Sequence, residues 1–118
     1  MKELHFSVPL LPPSVNHYKV RRFYNSPEAQ AFIEAVCIFS RKQRVEGPRY
    51  QVEIAYDLAP GRLLKSDLDN FSKVALDALT AANVIADDRY IVTLRLSKRT
   101  AASERDTSTT YKVTGFAL

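Results

Sequence analysis

YQVEIAYDL at Tyr50–Leu58 and LDNFSKVALDALTAA at Leu68–Ala82 are the two stretches that decide the fold. The first alternates apolar and polar side chains, which is typical of a strand with one buried face. The second repeats its apolar residues at the spacing of a single helix face. Pro60-Gly61 marks a turn between them. The change of period therefore predicts a strand, a turn and a helix that packs on the strand.

The same patterns extend outward in both directions. They predict a strand over 4–10, a loop over 12–22, a helix from Pro27 to about Val45, a strand over 89–97, a polar hairpin loop over 100–110 and a strand over 111–118. The order is β-α-β-α-β-β, so we expect an α+β fold with a mixed sheet and two main helices. With 118 residues, a single domain spanning 1–118 is expected.

Local signals give each helix a predicted start and a predicted buried face. Ser26 is a candidate N-cap for the first helix, with Pro27 at its first position. Its core face would include Phe32, Ala35, Val36 and Phe39, and Gly47-Pro48 would end it. Ser66-x-x-Asp69 resembles a capping box at the start of the second helix.

Composition limits the classes of function. The formal net charge of +4 favours a polyanionic partner, and nucleic acid is the usual one. Cys37 is the only cysteine, so an internal disulfide and a cysteine-based zinc site are excluded, and a small buried hydrophobe is expected there. No apolar run approaches the roughly 20 residues of a membrane span, and the N-terminus does not resemble a signal peptide. We expect a cytoplasmic protein with no membrane partner and no small-molecule cofactor.

Acidic residues nevertheless gather around one lysine in this basic chain. Asp67 and Asp69 precede Lys73, and Asp87-Asp88 follow after the second helix. On extended chain Asp67 and Asp69 would point to the same side, as two ligands of a cation do. Carboxylates repel nucleic acid unless they hold Mg²⁺ against a phosphate, so the pattern favours a metal-dependent nuclease.

Ordinary structural roles are open for each of these residues. Acids at a helix N-terminus stabilise it by about 0.3–1 kcal/mol each. Lys73 stands four residues from both Asp69 and Asp77, the spacing of a solvent-facing ion-pair ladder. Asp87-Asp88 by itself suits a turn.

Further basic and polar residues are candidates for phosphate contacts. They are Asn16, Arg21, Arg22, Arg41, Lys42, Arg44 and Lys65.

The motif Asp67-Leu68-Asp69-Asn70-Phe71-Ser72-Lys73, then Asp77-Ala78-Leu79-Thr80, then Asp87-Asp88 resembles the RusA family of Holliday-junction resolvases. Pro12-Pro13-Ser14-Val15-Asn16 after the first strand is also similar to that family. The resemblance covers nearly the whole chain and implies a RusA-like fold.

The resemblance implies a homodimeric, Mg²⁺-dependent endonuclease of bacteria and phages that cuts four-way DNA junctions in pairs of symmetric nicks. Asp67, Asp69 and Asp88 would be the metal ligands, with the number of ions open. Lys73 would be the catalytic lysine, and Asn70 and Asp87 would be supporting residues.

Two alternatives remain at this point. The chain could be a nuclease of the same fold that acts on another branched or flapped DNA. It could also be a non-catalytic DNA-binding module in which the acids only cap helices and balance charge.

Overall fold

The computed structural model describes residues 2–13 and 26–117. Its elements, in chain order, are β1 (Glu3–Val8), α1 (Pro27–Phe39), β2 (Arg49–Leu58), α2 (Leu68–Ala81), β3 (Ile91–Thr100) and β4 (Ser108–Phe116), with single 3₁₀ turns at Asp88–Tyr90 and Glu104–Asp106. The predicted α+β order of β-α-β-α-β-β is confirmed.

The four strands form one mixed sheet in the order β1-β4-β2-β3. β2 and β3 are parallel and joined through α2, whereas β4 is antiparallel to both β1 and β2. Alternate residues of β2, beginning with Tyr50, point into a single core shared with both helices. The strand periodicity of the sequence predicted this face because one side of the sheet is covered and the other is not.

α1 begins as predicted and ends six residues early. Ser26 caps it, with its side-chain oxygen accepting a hydrogen bond from the backbone N–H of Ala29 at 3.1 Å. The helix stops at Phe39 because Arg41 and Lys42 both have positive φ angles, of 57° and 56°. The Lys42 N–H then bonds the Cys37 carbonyl, which closes the helix end.

The early end of α1 also changes the predicted burial of its last turn. Phe39 is 44% exposed and not in the core, while Phe32, Ala35 and Val36 are buried as predicted. Cys37 packs against the core as a hydrophobe but is half-buried, so it is less buried than expected.

α2 matches its predicted span within one residue, but its start differs. The N-cap is Asp67, whose side chain makes no capping bond, so the Ser66-x-x-Asp69 capping box was wrong. Asp67 is extended and Asp69 already helical, so the two do not share one stretch of extended chain. Further along, the Tyr111 hydroxyl of β4 donates to the Ala75 carbonyl at 2.8 Å and ties the helix to the sheet.

β3 and β4 are each longer than predicted, and the predicted hairpin loop between them was wrong, because β2 lies between β3 and β4 in the sheet. β3 continues to Thr100, which pairs with Leu58 at the end of β2, and β4 already begins at Ser108. The small polar residues near Thr100 indicated a loop, but pairing with a long neighbouring strand decided their conformation. In the part of the chain that the structure describes, no helix is long and apolar enough to cross a bilayer.

Candidate active site

The start of α2 lies beside the end of β3. The Lys98 side chain donates to the carbonyl oxygen of Ser66 at 2.8 Å, one residue before Asp67. α2 therefore runs antiparallel to β3. The start of β3 consequently lies toward the later turns of α2, away from Asp67.

One face of α2 carries alternating charge. Asp69, Lys73 and Asp77 are four residues apart, so they lie on one side of the helix, with Asp69 and Lys73 exposed and Asp77 half-buried. A rise of about 1.5 Å per residue spaces Asp69 and Asp77 by roughly 12 Å along the axis. Lys73 lies between them.

The Asp87-Asp88 pair forms the turn that leads into β3. The Asp87 carboxylate accepts the backbone N–H of Arg89 at 3.1 Å, and it also lies 3.9 Å from the Arg89 Nε. The hydrogen bond from the Arg89 N–H makes the largest contribution to lowering the pKa of Asp87, and a hydrogen bond with Asp88 makes the next largest. This local bonding fixes the turn, which explains an aspartate at 87 without any ligand.

Asp88 has the opposite electrostatic environment. Its hydrogen bond with Asp87 raises the pKa of Asp88, and partial burial and the negative charges of Asp87 and Asp77 add to the effect. The positive charge of Lys73 works against them. The fold thus brings Asp88 close to Lys73 and Asp77, although these residues belong to different elements.

The predicted metal ligands do not lie close enough together in this structure to bind one ion. Among residues 2–13 and 26–117, no three histidine, cysteine, aspartate or glutamate side chains are grouped closely enough to hold a metal ion. Asp88 lies beside the middle of α2, whereas Asp67 lies at its start next to the Lys98 contact. Asn70 is half-buried in the first turn of the helix.

The donor chemistry of these residues still fits a divalent cation. Mg²⁺ prefers carboxylate oxygens and is usually held by one or two carboxylates together with water and substrate phosphate. The carboxylates of Asp87 and Asp77 both act on Asp88, so negative charges are neighbours at this point of the surface. A cation there would relieve that repulsion.

A buried tyrosine connects the Asp87-Asp88 turn to the segment after α1. The Tyr50 hydroxyl donates to the Val45 carbonyl and accepts the backbone N–H of Ala86, both at 3.2 Å. The Val45 N–H also bonds the Val84 carbonyl at 2.8 Å. The residues immediately before the acidic turn are therefore held against the end of a basic segment.

That basic segment contains three of the predicted DNA contacts. Arg41, Lys42 and Arg44 are exposed. They lie after the end of α1, whereas the sequence had placed them on the helix. Lys65 is exposed on the loop before α2. Asn16, Arg21 and Arg22 lie outside the described residues.

Sequence reasoning left three residues out of the site. Asp77 approaches Asp88, Lys98 holds the loop before Asp67, and Tyr50 holds the segment before Asp87. Asp77 carried a usable signal, because it stands one helical turn beyond Lys73. Lys98 and Tyr50 contact backbone groups, and no residue pattern in the sequence indicates such contacts.

Comparison with known proteins identifies the family of this chain. The profile of one protein family, described as Endodeoxyribonuclease RusA, matches residues 8–107. That match includes all of α1, β2, α2 and β3 together with every acidic residue of the candidate site. No curated protein matches the chain significantly. Since the family profile covers most of the sequence, this chain belongs to the RusA family of endodeoxyribonucleases.

Proposed function

We propose that this protein is a Mg²⁺-dependent, structure-selective endodeoxyribonuclease that resolves Holliday junctions by paired symmetric cleavage. One observation supports this most strongly: Asp88, Asp77 and Lys73 converge from two separate elements on the surface of a member of an endodeoxyribonuclease family. Helix capping and turn formation explain the acids one at a time, but they do not explain this convergence.

Asp67, Asp69 and Asp88 would hold the metal. When bound, Mg²⁺ supplies charge neutralisation at the phosphodiester and a water of lowered pKa for in-line attack. The three carboxylates would have to come closer together than they are in this structure. Asp77 is near enough to Asp88 to add negative charge to the same place.

Lys73 would bind a non-bridging oxygen of the scissile phosphate. Its positive charge already acts on Asp88, so a phosphate that approaches Asp88 would meet the Lys73 ammonium as well. Negative charge that builds up on the phosphate during displacement would be stabilised by the same group. Asp87 and Asn70 would keep the surrounding backbone in place.

The remainder of the protein would hold the DNA. Exposed Arg41, Lys42 and Arg44 are joined through Val45 and Tyr50 to the segment before Asp87, so they would bind backbone phosphates close to the cut. Two copies related by a two-fold axis would present two such sites to a symmetric junction. We therefore propose a homodimer as the active form.

The test is cleavage of labelled four-way junction, replication fork, 5′ flap and linear duplex, each with Mg²⁺ and with EDTA. Paired symmetric nicks in the junction alone, and only with Mg²⁺, are the expected result. Preferred cutting of the fork or flap would instead identify a nuclease for other branched DNA. Tight binding to the junction without any cut would contradict the proposal and favour a DNA-binding module.

A further inference from the structure

Leu64 is the most exposed large apolar side chain in the described part of the chain, at 91%. It lies in a turn before α2, in which the backbone N–H of Lys65 bonds the Arg62 carbonyl at 3.1 Å. Leu63 and Leu64 are the two central residues of that turn, where glycine, proline and short polar residues are usual. An apolar side chain at the tip is therefore not what the turn itself favours.

Neither the backbone nor the core requires a leucine at position 64. Among the described residues, positive φ angles outside glycine occur at Arg41, Lys42 and Asn83, so Leu63 and Leu64 have ordinary conformations that most residues adopt. Leu63 packs against the core, whereas Leu64 is almost entirely exposed. Leu64 thus contributes little to folding stability, because it buries almost no apolar surface.

The turn is held in place on both sides of Leu64. Before it, the Arg62 N–H bonds the Ala59 carbonyl at 3.0 Å. After it, the Lys98 side chain donates to the Ser66 carbonyl at 2.8 Å. Leu64 is therefore presented from an ordered turn at the start of α2, and little backbone ordering would oppose its contact with a partner.

The surroundings of Leu64 favour DNA as that partner. Arg62 and Lys65 are exposed on either side of it, and Asp67, the first acidic residue of the candidate site, is three residues further along the chain. Cations that flank an apolar side chain suit a contact in which they bind phosphates while the apolar group meets the bases. Leu64 consequently lies where DNA bound at the candidate site would pass.

We propose that Leu64 packs against the base faces exposed at the branch point of DNA and so favours branched over continuous duplex DNA. The inference rests on the proposed function and names a residue that determines its specificity. In a continuous duplex each base pair is stacked on both sides, so a leucine must separate two of them at a cost in free energy. At a branch point stacking is interrupted, and the leucine meets an apolar surface without that cost.

Arg62 and Lys65 would contribute in a different way. Their charges would bind phosphates of any duplex, so they strengthen binding to branched and linear DNA alike, and salt weakens their effect. Contact of an apolar side chain with a base releases no counterions. The affinity that Leu64 adds should therefore be confined to branched DNA and be insensitive to salt.

Affinities for a four-way junction and a linear duplex, measured by anisotropy in EDTA across a salt series, test this contact. Leu64→Asn suits the turn and should weaken junction binding about tenfold, with duplex binding and the salt slope unchanged. Leu64→Met keeps an apolar side chain and should bind like the natural sequence. Lys65→Gln should weaken binding to both DNAs and reduce the slope by about one unit. Ile38→Asn, at a side chain 68% exposed on α1, is the matched control and should bind normally.

A fluorescent base reports where the side chain lies. With 2-aminopurine at the branch point, the natural sequence at saturation should alter the fluorescence more than Leu64→Asn does. With 2-aminopurine in the middle of an arm, the two proteins should give the same signal. Circular dichroism checks that every variant is folded.

The proposal would be overturned if the natural sequence bound the junction no more tightly than the duplex. It would also be overturned if Leu64→Asn weakened both equally or neither, or gave the natural fluorescence response at the branch point. Cleavage is not measured in these experiments. Loss of this contact with normal cleavage would leave the proposed activity intact, and absent cleavage with the Leu64 effect present would remove the activity alone.

Discussion

Lys98 and Ser66 join the end of β3 to the loop that delivers the first acidic residue of the candidate site. The Lys98 ammonium donates to the Ser66 carbonyl at 2.8 Å, and Asp67 follows at once as the N-cap of α2. Asp67 makes no capping bond of its own. The position of its carboxylate is therefore determined by the backbone on either side, and Lys98 fixes one of those sides.

Lys98→Met should loosen this loop with little change elsewhere. The methionine keeps most of the aliphatic stem and loses the charged donor, whose hydrogen bond contributes about 1.5–3 kcal/mol at most. We expect a loss of roughly 1 kcal/mol in the free energy of unfolding and faster hydrogen exchange at residues 65–67. Arg95→Met, on the same strand but with only a 4.0 Å contact to Glu53, is the control. Equal effects of the two variants would show that the Ser66 contact contributes nothing.

Tyr50→Phe should destabilise the protein clearly. The ring remains in the core, but the Val45 carbonyl and the Ala86 N–H both lose their hydroxyl partner in a site where Tyr50 is only 2% exposed. An unsatisfied buried group costs about 1–3 kcal/mol, and here the bond to the Val45 carbonyl is buried and that of the Ala86 N–H is part-buried. Urea unfolding should therefore show a loss of about 2 kcal/mol or more. Tyr90→Phe, which removes an exposed hydroxyl, should cost less than about 0.5 kcal/mol.

Alkaline pH should destabilise the fold through Tyr56. Burial raises the pKa of Tyr56 to about 12, and the nearby Ser72 opposes this slightly. The native state therefore keeps the Tyr56 proton between pH 10 and 12, where the unfolded chain releases it. Stability is complete below pH 10 and should fall by up to about 3 kcal/mol as pH rises through 12. Burial raises the pKa of Tyr111 too, so this second tyrosine acts in the same direction.

The variant Tyr56→Phe distinguishes the contribution of Tyr56 to the alkaline loss of stability from that of Tyr111. In the described part of the chain the Tyr56 hydroxyl has no hydrogen-bond partner, and the neighbouring Ser72 hydroxyl donates to the Leu68 carbonyl at 2.8 Å. Removing that hydroxyl should leave stability at pH 7 unchanged or raise it by about 1 kcal/mol. It should also flatten the decline above pH 10, measured by urea unfolding. An unchanged decline would assign the effect to Tyr111 alone.

Periodicity predicted the parts of the fold that depend on burial of a face. β2 and α2 were correct because each has one side in the core over many residues. The end of α1 was missed because Arg41 and Lys42 adopt positive φ, a conformation that glycine usually signals. The extension of β3 to Thr100 depends on pairing with Leu58, which is distant in sequence.

For the candidate site too, the sequence predicted some features and not others. The acidic motif and Lys73 were visible as residue types at fixed spacing, and in the fold the positive charge of Lys73 acts on Asp88. The role of Asp77 beside Asp88 depends on how the turn after α2 folds back along the helix. Local spacing could not predict that distance, because it is set by tertiary contacts such as those of Tyr50.

The basic segment after α1 should contribute to DNA affinity through phosphate contacts. Arg44→Gln should weaken junction binding and reduce the steepness of its salt dependence by about one unit of slope, whatever the DNA sequence. Arg105→Gln, an equally exposed arginine on the turn before β4, should leave the slope unchanged. The measurement is junction affinity by anisotropy across a salt series. Identical slopes for the two variants would remove the segment from the DNA interface.

The central claim is that the acids around Lys73 form the catalytic site. Its most direct test is Mg²⁺-dependent cleavage of a labelled four-way junction by the natural sequence, by Asp69→Asn and Asp88→Asn, and by Glu104→Gln as a control of equal charge change. We predict that both aspartate variants lose at least about 100-fold in cleavage rate, or roughly 3 kcal/mol, and bind the junction as tightly or more tightly. Glu104→Gln should cut normally. Cleavage that persists in both aspartate variants would contradict the account.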